Sequence, residues 1–393
     1  MKSLLRDFSL SAIIAGFVTA FICITSSVAI VFHAAHALGA SQAEIASWIW
    51  ALGIGMAVTT IVLSLCYRVP VVTAWSTPGA AMLMTGGAGI PLAEATGAFL
   101  ICALLIILVT FTGWFQRGLK YISIPLVSAM VAGIFLQVAL DVFVAMQHRF
   151  VLVITMFGVW LLVRGWLPRY AIILSLVAGF VVAALHHELR FENLHFALTK
   201  PIFIAPHFSI AALCGIALPL FIVTMAAQNL PAVVSLREYG YEETPISPLI
   251  GWTGVTSLLL APFGAFALNL AVTGIFCMGE EAHADKQRRY VAAVVTGFFY
   301  LLLGLFGATV VALFAAVPKE LILAIAGIAF FNIIGNSLAM ALVQKQDRNA
   351  ALTAFLVTAS GLTLLGVGSV FWGLIAGLFV LGIERLKKVR SAG

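Results

Sequence analysis

Long apolar runs alternate with short breaks of charge, proline and glycine along the whole chain. Because a helix needs about 20 apolar residues to cross the hydrocarbon core of a bilayer, each long run predicts a transmembrane span. Two sets of seven spans result, one on each side of the more polar stretch 187–207. The predicted spans are 8–33, 44–66, 70–85, 93–115, 119–138, 149–163 and 169–186, then 208–234, 247–260, 262–279, 290–316, 319–342, 348–366 and 368–385.

The third span of each set is interrupted. In the first set, a β-branched run from Val71 to Thr73 precedes Pro78, at which a short helix can begin. In the second set, Pro262 opposes helix and Phe266 to Leu270 forms a strand-like run. Interrupted apolar segments at corresponding places in the two halves of a membrane chain indicate the binding site of a transporter. We therefore take these two segments as the predicted site.

Composition places the chain in a membrane. Hydrophobic residues make up 63% of it and charged residues only 9%, whereas soluble domains carry about 25% charged residues. The first apolar run, 8–32, exceeds the roughly 7 to 15 apolar residues of a secretory signal, so an uncleaved first span is predicted. The five cysteines form no CxxC pair, and we predict no metal site and no cofactor.

The distribution of basic residues predicts the orientation. With both termini in the cytoplasm, only four of the 21 lysines and arginines fall on the outside, namely Arg149, Arg190, Lys200 and Lys319. This bias follows the positive-inside rule, so the net charge of +6 reflects membrane topology and not nucleic-acid binding. An odd number of spans in each set also places the second half upside down relative to the first, which is an inverted repeat.

Polar side chains deep inside the predicted spans are the candidate ligands of a substrate. An unpaired polar group in lipid costs several kcal/mol, so each such side chain needs a partner or a function. The alternative is that these groups only hydrogen-bond neighbouring helices. The predicted substrate-binding residues are Thr25, Ser26, Trp75, Ser76, Thr77, Gln228, Asn229, Phe266, Asn269 and Thr273.

The two interrupted segments favour an anionic ligand. If one half-helix begins at Pro78 and another after Asn269, their N-terminal N–H groups and positive dipole ends face one space. A carboxylate can bind there without lysine or arginine, and Trp75 and Phe266 supply apolar contact to a ring. No acid or histidine stands at mid-span as an evident proton carrier, so that role stays open.

Three runs resemble the BenE family of bacterial benzoate/proton symporters: TAWSTPGAAML (73–83), TMAAQNLPAVVSL (224–236) and APFGAFALNLAVTGIFCMGEEAHAD (261–285). That family is similar in fold to uracil permease and to sulfate and bicarbonate transporters. The resemblance implies an all-α polytopic membrane protein with fourteen spans in a 7+7 inverted repeat and two broken spans containing short strands. It further implies a core domain (1–116 and 208–316) that moves like an elevator against a gate domain (117–207 and 317–393).

The resemblance also implies a function and a location. We expect a secondary transporter that imports a small aromatic carboxylate, benzoate, with a proton across the bacterial inner membrane, often as a homodimer. Gln228 stands where nucleobase relatives have a substrate-binding glutamate, and Leu268 and Asn269 stand where they have a Glu-Asn pair. The missing carboxylates argue against a uracil-type ligand.

Other functions stay open at this point. A transporter of a nucleobase or an inorganic anion shares the fold, and a passive anion channel conducts without a proton gradient. The sequence contains no HExxH motif, no GxSxG motif and no pair of intramembrane aspartates, so we do not expect an enzyme.

Overall fold

The computed structural model describes residues 7–87, 89–113, 123–167, 170–190, 196–365 and 367–392. The chain is mostly helical, and its two short strands lie in the two interrupted segments. The elements of the first half are α1 (Leu10–Ala37), α2 (Gln42–Tyr67), β1 (Thr73–Trp75), α3 (Thr77–Gly86), α4 (Leu92–Phe111), α5 (Ile124–His148), α6 (Phe150–Arg164) and α7 (Ala171–Leu185). The predicted inside charges Lys2, Arg6, Arg117, Lys120 and Arg169 lie outside the described residues.

The second half has a similar order of elements with one additional helix. They are α8 (Ile210–Glu238), α9 (Ile246–Leu260), β2 (Leu268–Leu270), α10 (Ile275–Met278), α11 (Tyr290–Leu305), α12 (Gly307–Ala315), α13 (Lys319–Leu342), α14 (Arg348–Ala359) and α15 (Ser369–Ala392). Two 3-10 turns, Ala261–Phe263 and Val272–Gly274, flank β2.

Eight of the described helices are long and apolar enough to cross a membrane. Three shorter apolar helices accompany them, Phe150–Arg164, Ala171–Leu185 and Ser369–Glu384. The protein is therefore a polytopic membrane protein, while the count of fourteen spans stays a prediction. The predicted span 290–316 is not one helix, because the chain leaves helical geometry at Phe306. Thr199 accounts for this break: its N–H donates to the carbonyl of Leu305, and its hydroxyl accepts from the N–H of Ala308.

The two strands pair antiparallel, with Thr73 opposite Leu270, Ala74 opposite Asn269 and Trp75 opposite Leu268. Unpaired backbone groups are costly inside a membrane, so the ends of so short a ladder need other partners. Side-chain hydroxyls supply them. Thr60 Oγ1 on α2 accepts from the N–H of Thr73 at 3.0 Å, and Ser257 Oγ on α9 accepts from the N–H of Leu268 at 2.9 Å. Each half thus secures its strand with a hydroxyl from the preceding long helix.

The first helix of each half also begins in the same way. Ser9 precedes α1 and Ser209 precedes α8, and each hydroxyl accepts from the N–H three residues later at 3.1 Å. A serine in this position pairs one of the four N–H groups that a helix start leaves free. Both halves therefore share a capping residue as well as a strand-securing hydroxyl.

Helices α5 and α13 pack along each other in opposite directions. The rings of Phe135 and Phe330 stack with centroids 4.1 Å apart. Three residues before Phe330, Gly327 lies so close to Val138 and Val142 that a side chain there would overlap them. This antiparallel pair forms one wall of the cavity described below.

The glycine pair of α15 packs inside the molecule. A Cβ at Gly373 would overlap Thr358 Oγ1 on α14, and one at Gly377 would overlap the side chain of Leu126 on α5. A GxxxG spacing allows close helix contact, and here both contacts are made within one chain.

Candidate functional site

A cavity of about 740 Å³ lies between two groups of helices. One wall comes from α1, the start of α3, α8 and the turn after β2. The other wall comes from α5 and α13, including the stacked rings of Phe135 and Phe330. Residues of both interrupted segments therefore line one cavity, and its role as the binding site stays a prediction.

Trp75 is fixed at the inner end of this cavity. It is the last residue of β1 and only 1% exposed, and its indole N–H donates to Ser27 Oγ at 2.8 Å. Ser27 in turn donates to the carbonyl of Cys23, one turn earlier on α1, at 3.0 Å. Because both α1 side chains also line the cavity, the indole is oriented by the wall itself.

The start of α3 presents backbone and side-chain donors to the cavity. Ser76 caps the helix by accepting from the N–H of Gly79, and it also accepts from the hydroxyl of Thr224 on α8 at 2.8 Å. Thr77 and Pro78 line the cavity, and proline has no N–H. Among the described residues, nothing pairs with the N–H or the hydroxyl of Thr77, which leaves both for a ligand.

The second interrupted segment differs from the expected half-helix. After β2 the chain makes the 3-10 turn Val272–Gly274 and then only the four residues of α10. Because the dipole of a helix sums over aligned peptides, so short a helix adds little positive field. Thr273, one of the predicted ligands, does line the cavity. Short helices therefore follow both Pro78 and Asn269, and α3 is the longer of the two, with ten residues.

Adjacent amides on α8 have different roles. Gln228 lines the cavity, and its side chain makes no hydrogen bond to any described residue. Asn229 is fully buried, and its Oδ1 accepts from the N–H of Leu270 at 2.9 Å. Both lie in a π-helical segment, Thr224–Asn229, that comes just before Pro231. Since Pro231 has no N–H for the carbonyl four residues earlier, the helix is locally widened where the amides are needed.

Asn269 is buried and is not among the residues that line the cavity. Its Nδ2 donates to the carbonyl of Leu270 at 2.7 Å, and its buried Oδ1 has no partner among the described residues. Residues directly opposite in a strand pair share a face, as do residues two apart along a strand. Asn269 therefore points to the same side as Ala74 and Ala271, both of which line the cavity.

Two other predicted ligands, Phe266 and Thr25, are not among the residues that line the cavity. Phe266 is fully buried against the rings of Trp48 and Phe99, with centroids 5.8 and 6.2 Å away. Thr25 donates to the carbonyl of Phe21 one turn earlier on α1. Ser26 lies on α1, and its side chain is outside the described part of the structure.

None of the predicted substrate-binding residues lies on the wall formed by α5 and α13. Lining residues recur every three or four positions on two helices, as one face of each helix requires. On α5 they are Ile124, Val127, Ser128, Val131 and Phe135. On α13 they are Ala329, Phe330, Ile333, Asn336, Ser337 and Met340. The polar positions Ser128, Asn336 and Ser337 within these apolar helices were the available signal.

The cavity is largely apolar, with a few uncharged polar groups. None of the described residues that line it is lysine, arginine, histidine, aspartate or glutamate. Its polar groups are hydroxyls, amides and the start of α3, and its apolar lining is mainly aliphatic, with the three aromatic rings of Trp75, Phe135 and Phe330. Such a surface suits a small molecule with one polar end and an apolar ring.

A family model described as BenE, benzoate membrane transport protein, matches residues 6–383. The inner membrane protein YdcO of Escherichia coli K12 is 45% identical over 376 residues, covering 95% of this chain and 96% of that protein. The benzoate membrane transport protein of Acinetobacter baylyi is 40% identical over 379 residues, covering 96% of each.

Solved structures extend the likeness in fold. SLC26A9 superposes with a TM-score of 0.66 at 12% identity, covering 98% of this chain and 66% of that one. The transmembrane domain of the cyanobacterial bicarbonate transporter BicA superposes with a TM-score of 0.60 at 13% identity, covering 94% of this chain and 97% of that one. The fold is thus that of a membrane transporter, and the chain belongs to the BenE family of benzoate membrane transport proteins, which are transporters and not enzymes.

Proposed function

We propose that this protein is a secondary active transporter that imports benzoate together with a proton. The observation that carries the proposal is the uncharged, largely apolar cavity at which the two interrupted segments meet, with Trp75 on one wall and Phe330 on the other. The relative from Acinetobacter baylyi, which is named for benzoate transport, supports the choice of substrate.

The cavity suggests how benzoate is held. Its carboxylate accepts from the free N–H and hydroxyl of Thr77 and from the amide of Gln228, at the positive end of α3. Its ring lies between Trp75 on one wall and Phe330 on the other. Asn269 supports this arrangement from outside the lining and is expected to approach the ligand when the wall moves.

The proton travels on the substrate in this proposal. A carboxylate without a cationic partner is costly at membrane depth, and the described lining offers none. Protonation of benzoate after its carboxylate has bound in the cavity removes that charge before the site moves, so one proton travels with each substrate. Symport then requires no acidic side chain in the site.

The two walls correspond to the proposed core (1–116 and 208–316) and gate (117–207 and 317–393). The serine caps and strand-securing hydroxyls shared by the halves support the 7+7 inverted repeat. Trp75 and Phe330 at the inner end are 1% exposed, whereas Val234 and Met340 are 45% and 48% exposed. The mouth therefore opens at the end where α8 and α13 finish, which the predicted topology places in the cytoplasm. An elevator movement of the core against α5 and α13 would carry the site to the other side.

Uptake of radiolabelled benzoate into proteoliposomes tests this function. We expect saturable uptake that an inward proton gradient increases above the level in empty liposomes, which corrects for neutral benzoic acid crossing lipid unaided. Replacement of Asn269 by leucine should abolish uptake while the protein still elutes as a single folded species. Uptake no greater than in empty liposomes would contradict the proposal, and inhibition by uracil or sulfate would redirect the choice of substrate.

A further inference from the structure

The proposed core and gate meet at the end of the cavity opposite its mouth. Thr77 and Pro78 line the cavity, and Gly86, the last residue of α3, lies nine residues or roughly 13 Å beyond Thr77. Gly368, which directly precedes α15, packs on Gly86. Gly215, near the start of α8, lies beside the same segment, whereas the mouth lies where α8 finishes. The contact is therefore on the far side of the cavity from the mouth.

Backbone packs on backbone at this contact. A Cβ at Gly368 would lie 3.1 Å from the Cα and 3.2 Å from the carbonyl oxygen of Gly86, which is closer than ordinary van der Waals contact. Beside it, a Cβ at Gly215 would lie 3.6 Å from the Cα of Val367. Glycine is the residue that lets two backbones approach so closely. The predicted topology places this end outside the cell, so we call these four residues the outer seal.

The gate side of the outer seal is braced by the gate itself. Leu364 and Val367 exchange two backbone hydrogen bonds of 3.1 and 2.9 Å, and the indole N–H of Trp372 donates to both of their carbonyls. Ser369 Oγ donates to the carbonyl of Thr358 on α14 at 2.8 Å. Among the described residues, no hydrogen bond joins this segment to the core. The outer seal can therefore separate without breaking a hydrogen bond between the described parts of the two walls.

We infer that the outer seal is the contact that closes the outer side of the protein while the cavity is open to the cytoplasm, and that it separates when the core moves. The inference rests on the proposed function, because it uses the proposed core, gate and elevator movement. Close packing holds such a contact, and a gap of about 0.5–1 Å already loses a quarter to a half of the attraction. A side chain at position 368 that overlaps Gly86 should therefore favour the state in which the outer side is open.

The rate at which cysteines react with a water-soluble maleimide tests this inference in the purified protein. Ile90→Cys reports on the outer side, because Ile90 is 8% exposed and would lie 3.8 Å from a Cβ at Gly215. Met340→Cys reports on the mouth, where Met340 is 48% exposed. Mass spectrometry of the labelled peptides separates each reporter from the native cysteines. We expect Gly368→Leu to raise the rate at the Ile90→Cys reporter about five-fold or more without raising the rate at the mouth.

Gly368→Ala keeps the test valid if the leucine variant fails to fold, because one methyl group already meets the backbone of Gly86. Gly86→Ala is the matched control: its Cβ would lie 4.0 Å from the Cα of Gly368, an ordinary contact, so both rates should equal those of the parent.

Two results would overturn the inference. One is an unchanged rate at the Ile90→Cys reporter in both Gly368 variants, and the other is an equal rise at both reporters, which indicates general loosening of the fold. The labelling needs no benzoate. A parent protein that takes up no benzoate, but in which the Gly368 variants shift the labelling as expected, would overturn the proposed substrate and support the outer seal.

Discussion

Asn229→Ala and Gln228→Ala remove neighbouring amides of α8. We expect the first variant to lose stability and the second to lose benzoate binding. Asn229 is fully buried and accepts the N–H of Leu270 at 2.9 Å. Alanine leaves that N–H unpaired, which costs about 1–3 kcal/mol and lowers the ratio of folded to unfolded protein about 5- to 150-fold. Gln228 has no hydrogen-bond partner among the described residues, so its truncation should change stability by less than about 0.5 kcal/mol.

For benzoate binding, the larger effect is expected for Gln228→Ala. Gln228 is proposed to donate to the carboxylate of benzoate, and a hydrogen bond to a charged group contributes about 1.5–3 kcal/mol. Gln228→Ala should therefore weaken benzoate binding by more than ten-fold, while the melting temperature, followed by tryptophan fluorescence, stays at the wild-type value. A wild-type melting temperature for Asn229→Ala would refute the structural role of that amide. An unchanged benzoate KM for Gln228→Ala would refute its role as a ligand.

Three further predictions concern other parts of the molecule. Trp75→Phe keeps an aromatic ring but loses the bond to Ser27, so benzoate KM measured by uptake should rise about five-fold while the yield of folded protein is maintained. Gly377→Leu should sharply reduce the yield of monodisperse protein, because its side chain would overlap Leu126, and a normal elution profile would contradict that packing. Burial raises the pKa of Tyr241, in the loop between α8 and α9, to about 12 from 10.0. The folded state then holds the phenol proton more tightly, so stability should fall between about pH 10 and 12, and less so in Tyr241→Phe.

The local chemistry of the sequence was enough to locate one side of the site. Pro78 and Pro262 mark the two interrupted segments, since proline is unfavourable inside a helix and is accommodated in a first turn, where both residues stand. The neighbouring amides on α8 were both predicted as ligands, but only the fold separates Gln228, which faces the cavity, from Asn229, which serves β2. That difference depends on which face of α8 packs against the strand. A π-helical segment rotates the side chains that follow it around the helix axis, so the regular α-helical period of 3.6 residues does not predict their direction.

The opposite wall could not be predicted in the same way. Phe135 and Phe330 belong to different halves of the chain, and nothing local to either indicates that they stack. The break at Phe306 likewise depends on Thr199, which lies in the connecting segment more than a hundred residues earlier. Contacts between distant segments override local propensity at both places.

The pairing of β1 with β2 has a consequence for how the protein is made. Thr73 and Leu270 are about 200 residues apart, and a ribosome that adds about 5–20 residues each second needs at least ten seconds to supply the second strand. During that time β1 lacks the backbone partners that a membrane interior demands. The first interrupted segment should therefore wait at the insertion machinery or the membrane surface, and nascent chains that end before residue 270 should leave it accessible to water-soluble reagents.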